Sequence, residues 1–139
     1  MMRVFIADPR AGIRAALTIF LELEPDLQIV GEAGDGAELL HGLAAARPDV
    51  VLLEWALLTA PLADLLTDLR ARDLHPQVIV LSSRPEMEQA ACAAGADGFV
   101  SKADLPSRLL TLLRGLALEH DRPEGRPGAE ETVVRGIDS

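Results

Sequence analysis

Four residues with reactive or charged side chains each follow a short apolar run in this sequence. They are Asp8, Glu54, Ser82 and Lys102. In an open parallel sheet, ligands bind at the carboxyl ends of the strands. Carboxylates, a hydroxyl and an ammonium group at that edge are suited to binding charged ligands. We therefore expect the four side chains, with the loop that begins at Trp55, to converge on one site.

The elements that must position these residues are short strands alternating with helices. Apolar runs at 4–7, 27–30, 50–53, 78–81 and 98–100 predict five strands. Apolar residues at helical spacing predict helices over 11–24, 37–47, 62–72 and 86–94, and Pro106 opens a fifth. Buried strands that alternate with helices pair in parallel, with helices on both faces. The sequence predicts an α/β fold, a single (βα)5 domain with a doubly wound five-stranded sheet.

The chain has 139 residues and a formal net charge of −9. That length suits one compact domain. The acidic balance offers no basic surface to phosphate backbones or anionic lipid, so we expect neither a nucleic acid nor a membrane as a ligand. The composition favours a protein partner.

From His120 onward the sequence is polar and rich in proline and glycine. This composition predicts a folded domain over 1–119 and a flexible polar tail over 120–139.

No segment has the length and hydropathy of a signal peptide or a membrane span, since the apolar stretch 50–66 is interrupted by charged residues. We expect a cytoplasmic protein. The single cysteine, Cys92, excludes an internal disulfide, and its small neighbours favour a buried helical thiol. The three histidines have no ligand-like spacing, so no zinc site is expected.

Five sequence blocks carry a family resemblance when they are taken together. They are residues 4–8, 29–33, 47–53, 78–82 and 94–102. In order and spacing they resemble the response-regulator receiver domain of two-component signalling, from residue 3 to about residue 116. The style is closest to receivers that precede helix-turn-helix output domains. The resemblance implies a flavodoxin-like fold with strand order 2-1-3-4-5.

The resemblance also implies a phosphorylation site. Receivers place two acids after strand one for Mg²⁺, a phosphoacceptor Asp after strand three, a Ser or Thr after strand four, and a Lys after strand five. Ser82 and Lys102 match their positions, and Asp8 matches the first acid. Glu54 stands at the phosphoacceptor position, so this is a degenerate phosphorylation site.

Pro9 occupies the position of the second acid. In receivers, that second acid looks like the direct metal ligand. A proline offers no side-chain oxygen, so Mg²⁺ binding at Asp8 is expected to be weak or absent, and no other cofactor is predicted. The alternative role for Asp8 is an N-cap, with Pro9 in the first helical position.

Glu54 is one methylene longer than Asp, which moves its carboxylate outward by about 1.5 Å, roughly one carbon–carbon bond. Phosphoryl transfer depends on positioning, so a shift of this size can cost about 100-fold in rate. We do not expect phosphorylation of Glu54. The carboxylate can instead reach Lys102 and hold a negative charge there, or form a solvated pair with Lys102 that has no further role.

Two aromatic residues flank the site. Trp55 begins a loop that is polar in receivers but apolar here, and its ring either faces a partner or covers its own core. Phe99 takes the aromatic position that switches rotamer in receivers. Without a hydroxyl, Phe99 is expected to be a fixed core residue.

The leading hypothesis is an atypical, stand-alone receiver, not an enzyme, that signals through protein contacts without conventional phosphorylation. Leu105, Leu110 and Leu118 lie off the apolar stripe of the last helix and, with Trp55, predict a partner surface. The partner at this surface is expected to be a second copy of the chain, in a homodimer through helix 4, strand 5 and helix 5, or else a histidine kinase or an output protein.

Two other functions remain open at this point. One is a weak Mg²⁺-dependent phosphoacceptor served by a histidine kinase, which Asp8, Ser82 and Lys102 favour. The other is a flavin- or nucleotide-binding protein with a flavodoxin-like fold. The loop after the first strand has a single glycine and no hydroxyl, which argues against a phosphate cradle there.

Overall fold

The structure, a computed structural model, describes residues 1–121. Its strands are β1 Met2–Ala7, β2 Leu27–Ala33, β3 Val50–Glu54, β4 Gln77–Ser82 and β5 Gly98–Ser101. Its helices are α1 Ala11–Leu21, α2 Gly36–Ala46, α3 Leu62–Ala71, α4 Glu88–Ala93 and α5 Ser107–His120. Short 3₁₀ turns occupy Trp55–Leu57, Pro85–Met87 and Lys102–Asp104.

The five strands form one parallel sheet with the order β2-β1-β3-β4-β5. This confirms the predicted α/β fold and the strand order 2-1-3-4-5. Strand order reverses beside β1, between β1 and β3, which is where open α/β sheets place their ligands. The last residues of these two strands and the loops after them therefore open onto the candidate site.

Side chains alternate across the sheet, so each strand contributes to two hydrophobic layers. In β3, Val51 and Leu53 face a layer that includes Leu39, Leu62 and Ala91, from α2, α3 and α4. Val50 and Leu52 face the other layer, which includes Leu17, Leu21, Leu109 and Leu113 of α1 and α5. Both faces of the sheet are covered, which explains why its strands read as continuous apolar runs.

The ends of the helices depart from the sequence predictions in small ways. Helix α1 ends at Leu21 rather than residue 24, and α5 continues to His120, the first residue of the predicted tail. Gly95 follows α4 with φ of +114°, a conformation that favours glycine and ends the helix. The predicted tail, 120–139, otherwise lies outside the described residues from 122 onward.

Cys92 lies on the exposed side of α4, so the prediction of a buried thiol is wrong. Helix α4 has only six residues, and Ala91 is its buried residue. The small side chains around Cys92 therefore do not indicate burial, because this short helix contacts the sheet mainly through Ala91. Among residues 1–121, no helix is long and apolar enough to cross a membrane.

Candidate functional site

Asp8 and Glu54 are buried at the carboxyl edge of the sheet. The pairing of Ala7 with Leu53 sets the two acids side by side, each one residue beyond its partnered neighbour. Asp8 is 1% exposed and Glu54 is 4% exposed. Buried carboxylates carry a large desolvation cost unless cations or hydrogen-bond donors surround them, so their partners determine what this site can do.

Lys102 lies between the two acids. It follows β5, its side chain is 12% exposed, and it is the only lysine in the sequence. Its Nζ lies 2.8 Å from Asp8 Oδ2 and is also paired with Glu54 Oε1. The predicted convergence of these three residues is observed, and one ammonium group joins the two carboxylates.

Asp8 also receives hydrogen bonds from Arg10. The backbone N–H of Arg10 donates to Asp8 Oδ1 at 2.8 Å, and its Nε lies 3.4 Å from the same oxygen. Helix α1 begins at Ala11 with Arg10 as its N-cap, so the alternative role of Asp8 as N-cap with Pro9 in the first turn is wrong. Asp8 instead forms an Asx turn, in which its carboxylate accepts the N–H of Arg10 and also lies beside Lys102.

The pKa of Asp8 reflects opposing influences. Burial raises it, whereas the hydrogen bond from Lys102, the backbone N–H of Arg10 and the charges of Lys102 and Arg10 lower it. The lowering effects together are larger, so the pKa of Asp8 lies below its ordinary value. Asp8 is therefore a carboxylate held in its charged form by its own neighbours.

Both oxygens of Glu54 have donors. Oε1 pairs with Lys102 and lies 3.4 Å from Nη2 of Arg10, and Oε2 accepts a hydrogen bond from the backbone N–H of Ala56 at 3.0 Å. The second bond caps the 3₁₀ turn Trp55–Leu57. The side chain of Glu54 is thus tied both to the cations and to the start of the loop that follows it.

These residues do not fit a magnesium site. Mg²⁺ requires several oxygen ligands in octahedral geometry. Asp8 and Glu54 already share Lys102 and Arg10, and Pro9 has no oxygen to add. Within residues 1–121, no cluster of three or more Asp, Glu, His or Cys side chains could hold a metal ion.

Ser82 ends β4 and is 3% exposed. Its Oγ accepts a hydrogen bond from the backbone N–H of Arg84 at 3.0 Å. Its strand position is the one expected from the resemblance, but its hydroxyl stabilises the turn that follows, as strand-end hydroxyls commonly do.

The two aromatic residues beside the site pack inward. Trp55 is half-buried and packs against the layer under α2, α3 and α4, and Phe99 is 8% exposed within that same layer. Of the two orientations open for Trp55, the structure places its ring against its own core. Phe99 occupies a core position, as expected for a phenylalanine there.

The leucines predicted to form a partner surface differ in exposure. Leu118 is 71% exposed on α5. Leu105 and Leu110 are half-buried and pack against the layer beneath α1 and α5. The expectation that all three leave apolar surface therefore needs correction, because Leu110 of α5 and Leu105, just before α5, pack against the core while Leu118 does not.

Sequence reasoning missed two arginines at this edge. Arg10 contacts both acids, and Nη1 of Arg14 donates to the backbone carbonyl of Asp8 at 2.7 Å. Arg14 also pairs with Glu32 at 2.6 Å. A cation two residues after a buried acid was the available signal for Arg10, but a long side chain has many rotamers, and the sequence does not choose among them.

Comparison with known proteins gives a consistent result. The sequence of residues 4–114 matches the protein-family model of the response regulator receiver domain. DevR/DosR, a DNA-binding transcriptional activator of Mycobacterium tuberculosis, is 36% identical over 104 residues, which are 73% of this chain and 48% of that protein. The chain therefore spans about half the length of this curated relative.

Two solved structures show the same fold. The receiver domain of the response regulator NarL from Mycobacterium tuberculosis aligns with a TM-score of 0.72 and 28% identity, covering 84% of this chain and 96% of that one. CheY6 of R. sphaeroides, solved in complex with the P1 domain of CheA3, aligns with a TM-score of 0.72 and 27% identity, covering 84% and 97%.

Proposed function

The chain belongs to the response regulator receiver family of two-component signalling, and on that premise we propose that it acts through protein contacts largely without phosphorylation. The observation that carries the proposal is the position of Lys102, which pairs with both Asp8 and Glu54. In a phosphorylated receiver, the lysine at this position neutralises the phosphoryl oxygens. Here its charge is already matched inside the protein.

The geometry of Glu54 supports the proposal. A nucleophilic carboxylate needs a free oxygen aligned with the incoming phosphorus atom. Both oxygens of Glu54 are engaged, by Lys102 and Arg10 on one side and by Ala56 on the other. Breaking these contacts before transfer adds a cost that an aspartate with open oxygens would not have.

The acid pair supports it as well. Pro9 replaces a carboxylate, and Asp8 is surrounded by Lys102 and Arg10. A divalent cation would have to displace an ammonium and a guanidinium group that already neutralise this edge. Without a divalent cation, only the shared charges of Lys102 and Arg10 would offset the repulsion between an incoming phosphate and the two carboxylates.

A second function is a weak Mg²⁺-dependent phosphoacceptor served by a histidine kinase. The observation in its favour is that Ser82 and Lys102 keep their family positions at the ends of β4 and β5. The complex of CheY6 with the P1 domain of CheA3 gives a structural precedent in a relative.

The partner surface of the leading proposal includes α4, β5 and α5. Leu118 is its exposed apolar residue, with Leu105, Leu110 and Trp55 half-buried. Homodimerisation through this face and a cytoplasmic location remain predictions.

The test is binding of beryllofluoride with Mg²⁺, a stable analogue of the phosphoryl group. Trp55 is the only tryptophan and directly follows Glu54, so its fluorescence reports the site. The proposal predicts no saturable change in Trp55 fluorescence and no amide NMR shifts at Ser82 or Phe99. The control is the double variant Pro9→Asp, Glu54→Asp, which restores the family acids and is expected to bind in a Mg²⁺-dependent manner.

Tight, Mg²⁺-dependent binding to the natural chain, with shifts at Ser82 and Phe99, would overturn the proposal in favour of the phosphoacceptor. If the natural chain and a double variant shown by NMR to be folded both fail to bind, the acids alone do not explain the lack of binding and we assign it to the loop from Trp55 to Leu58. That outcome leaves phosphorylation independence in place but moves its cause from the acids to the loop.

A further inference from the structure

A second feature is an open groove between the start of α2 and the segment that leads into α3. Its volume is about 490 Å³. Leu40, Leu58 and Leu65 line it and are half-buried, and they rest on the hydrophobic layer below. The groove is therefore an apolar surface that the folded domain does not fill.

The rim of this groove is acidic. Asp35, Asp64 and Asp68 line it, and it has no Lys, Arg or His among its lining residues. Asp64 and Asp68 are four residues apart on α3 and so lie on one face of the helix. All three side chains are exposed. The rim thus projects three negative charges beside an apolar floor.

Among residues 1–121, the three rim acids make no ion pair with a cation of the domain itself. Within the described part of the chain, Asp35, Asp64 and Asp68 make no ion pair, whereas Glu32 pairs with Arg14 and Glu24 pairs with Arg114. The Asp35 side chain caps α2 through the N–H of Glu38, which leaves its charge unmatched. A cation from outside the domain would complete the groove.

The loop that builds one wall is also the loop that departs from the receiver pattern. Leu57 and Leu58 follow Glu54 and Trp55 in place of a polar turn. Leu57 is buried, Leu58 is half-buried, and both line the groove. The apolar residues there thus have a consequence beyond the degenerate site. They extend the hydrophobic surface from the core to the groove floor.

We propose that this groove binds a cationic amphipathic helix of a partner protein. Such a helix places apolar side chains at i, i+3 or i+4, and i+7 into a hydrophobic groove. Lysine or arginine at its flanking positions would meet Asp35, Asp64 and Asp68. The inference goes beyond the function proposed above, because it assigns a different face and holds whether or not Glu54 accepts a phosphoryl group.

Charge argues against two other occupants. A second copy of this chain carries a net charge of −9 and is repelled by the acidic rim. The segment 122–139 of the same chain carries three arginines against four acids, so it brings no net positive charge. The arginines are Arg122, Arg126 and Arg135, and the acids are Glu124, Glu130, Glu131 and Asp138.

The probe is a fluorescein-labelled synthetic helix of roughly four turns, with leucine on one face and lysine on the other. Its fluorescence anisotropy is titrated with the full chain. Asp64→Asn with Asp68→Asn is expected to weaken binding at least about 5-fold, since two rim charges are lost. Ala37→Trp, which adds bulk at an exposed lining residue, is expected to weaken it similarly.

The matched control is Glu22→Gln with Asp26→Asn, which removes the same charge from exposed acids remote from the groove. It is expected to change binding less than about 2-fold, a long-range charge effect alone. Equal weakening by both pairs, absence of peptide binding, or a homodimer that Ala37→Trp dissociates would each overturn the proposal. The beryllofluoride test is unaffected by any of these results, so the two proposals fail separately.

Discussion

Two sets of acids in this domain have opposite surroundings. Asp8 and Glu54 are buried and share Lys102 and Arg10, so their counter-charges come from within the fold. Asp64 and Asp68 are exposed beside an apolar groove and make no ion pair among residues 1–121. The difference indicates where an external cation is needed. On our proposals, the edge of the sheet that binds metal in receivers is neutralised by Lys102 and Arg10, whereas the groove takes its cations from a partner.

The largest expected effect comes from removing the shared cation at the buried site. Lys102→Met leaves two carboxylates, each less than 5% exposed, without their main partner. Breaking a buried charge network costs about 3–5 kcal/mol. We expect the free energy of unfolding, measured in urea at neutral pH, to fall by that amount. A loss below about 1 kcal/mol would show that the pairs are weak surface-like contacts.

A smaller loss is expected when one buried acid is neutralised. Asp8→Asn removes the charged hydrogen bonds from Lys102 and Arg10, and we expect about 1.5–3 kcal/mol of destabilisation at neutral pH. Because the pKa of Asp8 is lowered by folding, its charge stabilises the fold above the unfolded pKa of about 3.9. That contribution is lost as the pH falls through the lower, folded pKa.

Urea unfolding of the natural chain and of Asp8→Asn over a pH series measures this contribution. The stability difference between them is expected to be constant above about pH 5 and to narrow in stronger acid. A difference that widens in acid would mean that folding raises the pKa of Asp8, contrary to the contacts described.

The smallest effect, and of opposite sign, is expected at the groove. Asp68 lies four residues from Asp64 and toward the C-terminal half of α3, where the helix dipole disfavours an acid. Asp68→Asn is expected to raise the free energy of unfolding by a few tenths of a kcal/mol. Destabilisation by Asp68→Asn would show that this acid has an internal partner and would erase the contrast with Asp8.

Much of the fold and the core of the site follow from the sequence. Apolar runs bounded by helices predict a parallel sheet, and strands of one sheet bring their ends to one edge. The convergence of Asp8, Glu54 and Lys102 was predictable for that reason. The sequence also indicated that Pro9 offers no oxygen at this edge and that Glu54 can reach Lys102. Both inferences rest on backbone position, because strand register decides which side chains meet.

The remaining features depend on side-chain rotamers and on how wide each helix contact is. Arg10 reaches both acids through a flexible side chain whose direction no sequence pattern specifies. Leu105, which precedes α5, and Leu110 within it are half-buried because both pack against the hydrophobic layer beneath α1 and α5. Cys92 is exposed because α4 is short. The groove arises between α2 and the loop before α3, two segments distant in sequence.

The central claim is that Lys102, rather than a metal ion, neutralises the two buried acids. Lys102 is the only lysine, so amine acylation followed by mass spectrometry reports on one side chain besides the α-amino group. We predict slow acylation of Lys102 in the folded chain, at a rate that added Mg²⁺ does not change, and fast acylation in urea. Faster acylation in Mg²⁺ would mean that the carboxylates exchange lysine for metal, and would contradict this account.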